Sequence, residues 1–258
     1  MVVPEDRRPI VEDEADRPGI QKDVKPASSE NLLEALPETT VLTLPILLMT
    51  MIATVVALVG LFNNNVAVIV GAMVVSPLLT PITGFILELS LGRPHRALAN
   101  LKVLIVLIVL VVALSAMITA ILYTMGPISM TPQILDRFER RESYLLMAVL
   151  LGFAAIIAQV RGFHESLVGI GISLSLLPPA VVAGIAFALF RTNAVSALAL
   201  SFDNIIGVMI GGFLGIFFFK IGPAGWERKK KARAILLRAF VVLVALLLLL
   251  FLNLRVMA

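Results

Sequence analysis

The stretch VIVGAMVVSPLLTPITGF, residues 68–85, decides how this chain must fold. Nearly every residue in it is apolar, yet it carries Pro77 and Pro81, preceded by Ser76 and Thr80. A proline inside a helix removes one N–H and crowds the carbonyl four residues back, so Met73 and Pro77 lose their ordinary backbone partners. In a bilayer such carbonyls must meet protein, water or an ion, because hydrocarbon offers nothing to bond.

Composition puts this stretch in a bilayer. Hydrophobic residues make up 59% of the 258, mean hydropathy is +1.02, and charged residues are 15%. A soluble domain of this size does not carry that balance, and the chain reads as a polytopic membrane protein. No cysteine is present, which excludes a disulfide framework and a thiolate metal site. The first 40 residues show no basic stub leading into an apolar run and a small-residue cleavage site. No cleavable secretory signal is therefore expected, and insertion falls to the first spanning helix. Residues 1–38 mix both charge signs with proline and lack aromatics, the profile of a disordered cytoplasmic tail. A short partner-docking arm is the alternative.

A helix needs roughly 20 apolar residues to cross a core of about 30 Å. Seven stretches reach that length: 41–61, 66–91, 98–124, 143–160, 166–190, 194–219 and 236–254. The expected fold class is all-α. Sliding the chain by 98 positions sets Leu47, Leu48 and Met49 on Leu145, Leu146 and Met147, and Ala57 on Ala155. The same ungapped register sets Gly71 on Gly169, Pro81 on Pro179 and Arg93 on Arg191. A glycine, a proline and an arginine in one register say more than matched leucines do in so apolar a chain. Two repeats of three segments are expected, residues 39–125 and 140–220, with 221–258 forming a basic cytoplasmic loop and a final transmembrane helix. An odd number of crossings per repeat makes the second copy enter from the opposite side, the inverted plan of many secondary transporters.

Loop charges agree. With the amino terminus inside and the carboxyl terminus outside, 16 Lys and Arg residues fall on the cytoplasmic side and 5 on the other. The dominant group is Lys220, the run from Arg228 to Arg233, and Arg238, which topology and lipid headgroups explain better than nucleic acid does. If 66–91 and 166–190 dip and return on one side, the repeats become parallel and the count becomes 15 against 6. Charge does not separate the two.

Pro178 and Pro179, in GISLSLLPPAVVAG, repeat the interruption and release the carbonyls of Leu174 and Ser175, with Ser173 alongside. Breaks at matching places in two halves point to a midplane site, since half-helix ends offer carbonyls to cations and N–H groups to anions. The plain alternative is a pair of kinks healed by neighbouring hydroxyls. Ser76, Thr80, Thr83 and Ser90 would share one face of a continuous helix, although such hydroxyls usually bond back to their own carbonyls.

Asp203 sits nine residues into an apolar segment, about 14 Å along its axis at 1.5 Å per residue. A carboxylate there costs roughly 2.5 to 3.5 kcal/mol and marks a functional candidate, with Asn204 beside it. Gly207, Gly211 and Gly215 follow at four-residue steps and form a ridge for close helix contact, which turns Asp203 toward protein. A protonated Asp bonded to a neighbouring helix is the structural alternative. Glu88 lies near Arg93 and Arg96, where pairing or snorkelling accounts for it. Asn63, Asn64 and Asn65 form a tight connection and are weaker, pore-mouth candidates, since asparagine is ordinary in turns. Arg161, His164 and Glu165 occupy the equivalent loop of the second copy. His95 and His164 are too far apart to start a metal site, and no zincin, phosphate-loop or nucleophile-elbow pattern occurs. Neither an enzyme nor a cofactor is expected.

The segments NNNVAVIVGAMVVSPLLTPITGFILELSLGR and SLSLLPPAVVAG resemble an uncharacterised hydrophobic-domain family of prokaryotes, domain of unknown function 389. The resemblance rests on Gly71 to Pro81 and on Leu176 to Pro179, spans roughly residues 40 to 220, and extends to Asn204 in the apolar helix that follows. It implies a bacterial or archaeal cytoplasmic (inner) membrane and says little of substrate. The expected function is a membrane transport protein, channel or secondary carrier, for an ion or small polar solute. A proton or monovalent cation is favoured because freed carbonyls and a carboxylate make a negative cradle. The rivals are a non-transporting scaffold or sensor and a lipid-moving protein with a groove open to the bilayer. The glycine ridge and the featureless last helix suit either a homomeric interface, with a dimer favoured, or a face turned to lipid.

Overall fold

The computed structural model of the chain describes residues 41–138, 142–161, 165–189, 194–223 and 226–257. The expected tail, residues 1–38, lies outside them, as do His164 and Arg191. Every regular element among the described residues is a helix, as a backbone in lipid requires when it must satisfy its own hydrogen bonds.

The first half runs through α1 (Leu44–Phe62), α2 (Val66–Val75), α3 (Leu79–Ser90) and α4 (Pro94–Met125), then the short α5 (Pro132–Leu135). The second half contains α6 (Glu142–Arg161), α7 (Glu165–Ala188) and α8 (Ala194–Phe219), and α9 (Trp226–Met257) follows. Adding 98 to the bounds of α1 gives 142 and 160, to those of the α2–α3 pair 164 and 188, and to the start of α4 192. The bounds of α6 and α7 and the start of α8 fall within two residues of these.

The helix ends are set by local chemistry. Pro94 and Pro132 open α4 and α5, where a missing N–H costs nothing and the fixed φ already suits the helix. α1 closes at Asn64 (φ 51), with Asn65 N–H on the Gly60 carbonyl at 2.8 Å and Asn64 N–H on that of Leu61 at 3.2 Å. α3 closes at Gly92 (φ 71), with Arg93 N–H on the Glu88 carbonyl at 2.9 Å and Gly92 N–H on that of Leu89 at 3.0 Å. α8 closes at Lys220 (φ 54), with Ile221 N–H on the Ile216 carbonyl at 3.1 Å and Lys220 N–H on that of Phe217 at 3.3 Å. Each is the paired-bond cap that satisfies the last carbonyls of a helix around one left-handed residue.

The expected break at Pro77 is present. α2 stops at Val75, Ser76 is extended (ψ 125), and its N–H tightens onto the Met73 carbonyl at 3.3 Å. α3 leaves at 50° to α2. Leu78 and Ile82 are wholly buried there and Ser76 is 8% exposed, so the interruption lies inside protein.

The expected second break is not. α7 continues as helix through Pro178 and Pro179. Two adjacent prolines strip neighbouring rungs but leave the chain beyond them free to stay helical at its preset φ, and packing holds it there. Leu176, Leu177, Ala180, Val181, Val182 and Ala183 are all fully buried. A Cβ on Gly184 would overlap Ser115 Oγ and the Val112 carbonyl of α4, so α7 lies hard against that helix. A second correction concerns the basic run after α8: Lys229 to Arg233 are helical, within the first turns of α9, rather than loop. Lys and Arg are good helix formers, and their charge alone does not mark a loop.

Among the described residues five helices are long and apolar enough to cross a membrane, or six if α2 and α3 form one bent span. The fifth expected segment, 166–190, falls on α7, where the described apolar stretch Leu176–Ala188 is too short to count. α8 is the centre of the bundle, with 72% of its apolar window buried against 11% for α9. It packs on α6, α7 and α3, while α4 packs on α7 and α3, and α2 on α1 and α7. The two halves therefore interlock through α7 and α8.

Candidate functional site

The glycine ridge of α8 faces α6. A Cβ on Gly207 would lie 2.9 Å from that of Ala148, one on Gly211 would overlap the Val149 carbonyl, and one on Gly215 would lie 2.9 Å from the Cβ of Ile156. Asp203 is one step further along this row and 5% exposed, and Asn204 beside it is 3% exposed. The α8 carboxylate is thus enclosed by protein and does not point to lipid.

Asn204 and Pro179 line one cavity of about 60 Å³, together with Arg137, Tyr144, Met147, Leu151 and Leu200. Tyr144, Met147 and Leu151 form one stripe of α6, Leu200 and Asn204 a turn of α8, and Pro179 belongs to α7. The wall is apolar except for a guanidinium, a phenol and an amide. The volume holds a few waters or a small solute. At its mouth Arg137 Nη1 meets Asp136 Oδ2 at 2.8 Å, and the Tyr144 hydroxyl donates to the same oxygen. The Arg137 side chain is 15% exposed and its charge is answered by Asp136. The mouth is consequently close to neutral, and Asn204 within can both donate and accept.

The structure brings Pro179 and Asn204 together in one cavity, whose lining does not include the other expected site residues. Thr83 donates its hydroxyl to the carbonyls of Leu79 (3.2 Å) and Thr80 (3.1 Å) within its own helix, next to Pro81. Ser90 likewise bonds Leu87 at 2.6 Å. Ser76, Pro77 and Thr80 lie at the α2–α3 junction, α2 resting on α7 and α3 on α8. The side chains of Ser173, Ser175, Arg161 and Glu165 lie outside the described residues, and Pro178 is buried in α7. Glu88, 4% exposed, pairs with Arg93 at 3.8 Å. Asn63 to Asn65 serve helix ends: Asn63 Nδ2 donates to Val59 at 2.8 Å, Asn64 is left-handed, and Asn65 Oδ1 accepts from Val68 N–H at 3.2 Å.

Asp136, Arg137 and Tyr144 did not stand out in the sequence. The available signal is the charge-dense stretch from Asp136 to Glu142 between apolar helices, whose arginines bear on topology as well. No group of three or more metal-ligating side chains occurs among the described residues.

This arrangement of apolar helices, with a broken helix pair and a small, partly open cavity, is that of a multi-pass α-helical membrane protein. The chain belongs to the family described as Domain of unknown function (DUF389), which matches residues 73–210, from just before the first proline break into the middle of α8. It is 29% identical over 202 residues to an uncharacterized protein of Methanocaldococcus jannaschii, covering 78% of this chain and 62% of that protein. The chain therefore spans less than two-thirds of that relative's length. No solved structure matches it.

Proposed function

We propose that the chain is a membrane transport protein, channel or secondary carrier, that moves an ion or small polar solute past Asn204 and Asp203, with a proton or monovalent cation favoured. The observation that carries this reading is the cavity where Asn204 and Pro179 meet Arg137 and Tyr144. Polar groups on the wall of a void inside an apolar bundle are costly, and packing alone gives no reason to keep them. The buried break supports it from the other half, because Pro81 has no N–H to offer the Pro77 carbonyl.

Helix ends bear on the path of the chain. Thr131, shortly after α4, donates its hydroxyl to the Leu61 carbonyl at 2.7 Å, so the end of α1 and the end of α4 lie together. α3 finishes beside the start of α4, a helix of 32 residues and so about 48 Å long. This supports residues 66–90 as one bent crossing, and with it the inverted repeat; the inside amino terminus rests on the excess of Lys and Arg in the loops of that side. The sparsely covered α9 fits a homodimer in the same reading.

The test is flux in proteoliposomes holding the full chain, with proton, sodium and potassium gradients applied in turn. Asp203→Asn is expected to bring the coupled flux to the protein-free background. Identical flux and ion binding in wild type and Asp203→Asn would overturn the reading.

A further inference from the structure

Far from the Asn204 cavity, a larger pocket of about 290 Å³ opens where α3, α8 and α9 converge. Its inner wall is apolar and buried, with Ile216 at 1%, Ala232 at 2% and Leu236 at 3% exposure, and Ser90 at 3% is its buried hydroxyl. Three cations, Lys220, Lys229 and Arg233, line it and are themselves exposed, and no acidic side chain does so among the described residues. None of the three forms an ion pair among the described residues.

Lys220 is the informative residue. It occupies the left-handed position of the α8 cap at φ 54, where Gly92 serves the equivalent cap of α3. Glycine is the unstrained residue for such a position, and an L side chain there is disfavoured. A lysine is thus held in an unfavourable backbone state at the wall of the pocket. Strain of this kind is informative where the group it displays has a use.

We infer that this pocket binds the phosphate-bearing headgroup of an anionic phospholipid. Lys220, Lys229 and Arg233 receive the phosphate, and Ile216, Phe217 and Leu236 receive the adjoining glycerol and acyl portion. The position suits this occupant, since α9 leaves the pocket as an apolar helix with only 11% of its window buried, so acyl chains can run along it. The volume lies near the lower end of small-ligand pockets, roughly 300 Å³, which admits a headgroup and not a whole lipid. Basic groups at a membrane surface attract anionic lipid in general, and the claim here is narrower: it concerns the three cations of the pocket.

The full chain in neutral detergent is titrated with phosphatidylglycerol, phosphatidylcholine or glycerol phosphate, and bound lipid is read by native mass spectrometry alongside the melting temperature. Phosphatidylglycerol should be retained and raise the melting temperature, whereas the other two should do neither. Lys220→Gly, combined with Lys229→Gln and Arg233→Gln, should lose that retention. Lys220→Gly alone should melt no lower than wild type without lipid, since glycine suits φ 54, so its weakened retention cannot be ascribed to misfolding. Lys230→Gln, Lys231→Gln and Arg238→Gln remove as many charges outside the pocket and should leave retention intact. Equal loss in this control, equal retention of phosphatidylcholine, or full binding by glycerol phosphate alone would each overturn the assignment.

Discussion

Tyr144 and Arg137 converge on a single oxygen, Oδ2 of Asp136, the guanidinium at 2.8 Å and the phenol as donor. The segment after α5 is thereby tied to the first turn of α6, across the mouth of the Asn204 cavity. Tyr144→Phe keeps the ring and removes the donor. A hydrogen bond to a charged group contributes about 1.5 to 3 kcal/mol, and partial exposure of Asp136 places the expected loss near the lower figure. Asp136→Ala should cost more, because it also leaves the Arg137 charge unanswered in a largely buried place. Unfolding in mixed micelles checks both, and a Tyr144→Phe protein as stable as wild type would show the bond to be idle.

The α6–α8 contact depends on the absence of side chains. A Cβ on Gly211 would overlap the Val149 carbonyl, whereas nothing lies within 4 Å of one on Gly71. Backbone cannot yield as a side-chain tip can, so Gly211→Ala should destabilise by about 1 to 3 kcal/mol or prevent folding. Gly71→Ala, in the interior of α2, should instead stabilise by about 0.5 to 1 kcal/mol through helix propensity. Opposite signs for the same chemical change, read by thermal unfolding in one detergent, test whether that interface has no room for a methyl group.

The two proline motifs should behave differently on substitution. Pro77→Ala restores an N–H where α2 already ends, and together with Pro81→Ala it lets α2 run on toward α3, reducing the 50° bend. Spin labels placed at Val66 and Leu91 should then move apart. Pro178→Ala lies within a helix that is already continuous, so the same measurement across α7 should not change. An unaltered α2–α3 distance would mean that packing, and not proline chemistry, sets the bend.

The contrast shows which parts of the fold were legible in the sequence. Hydropathy and length located the apolar helices, and placed the starts of α6 and α7 within a residue of where they fall. Pro77 and Pro81, a full turn apart, disrupt two successive turns, and the break followed from that spacing. Pro178 and Pro179 have the same local chemistry, but α7 is clamped between α4 and α8, and tertiary burial is not written in a dipeptide. The cavity is similar: Asn204 stood out as a polar residue in an apolar run, while Asp136, Arg137 and Tyr144 matter through pairings that only the folded chain creates. Lys220 carried no warning, since a left-handed cap is ordinarily signalled by glycine.

The asparagine run provides a last separation of structure from function. Asn64 is left-handed at φ 51 and Asn65 caps α2 by accepting from Val68 N–H at 3.2 Å. If these residues act only as caps, Asn64→Gly should stabilise by about 0.5 kcal/mol, because glycine bears no penalty there. Asn65→Ala should destabilise by about 1 kcal/mol, the usual cost of losing such a cap. Neither should change flux in proteoliposomes. A change in ion selectivity in Asn65→Ala, at unchanged protein yield, would move this turn from the scaffold to the permeation path.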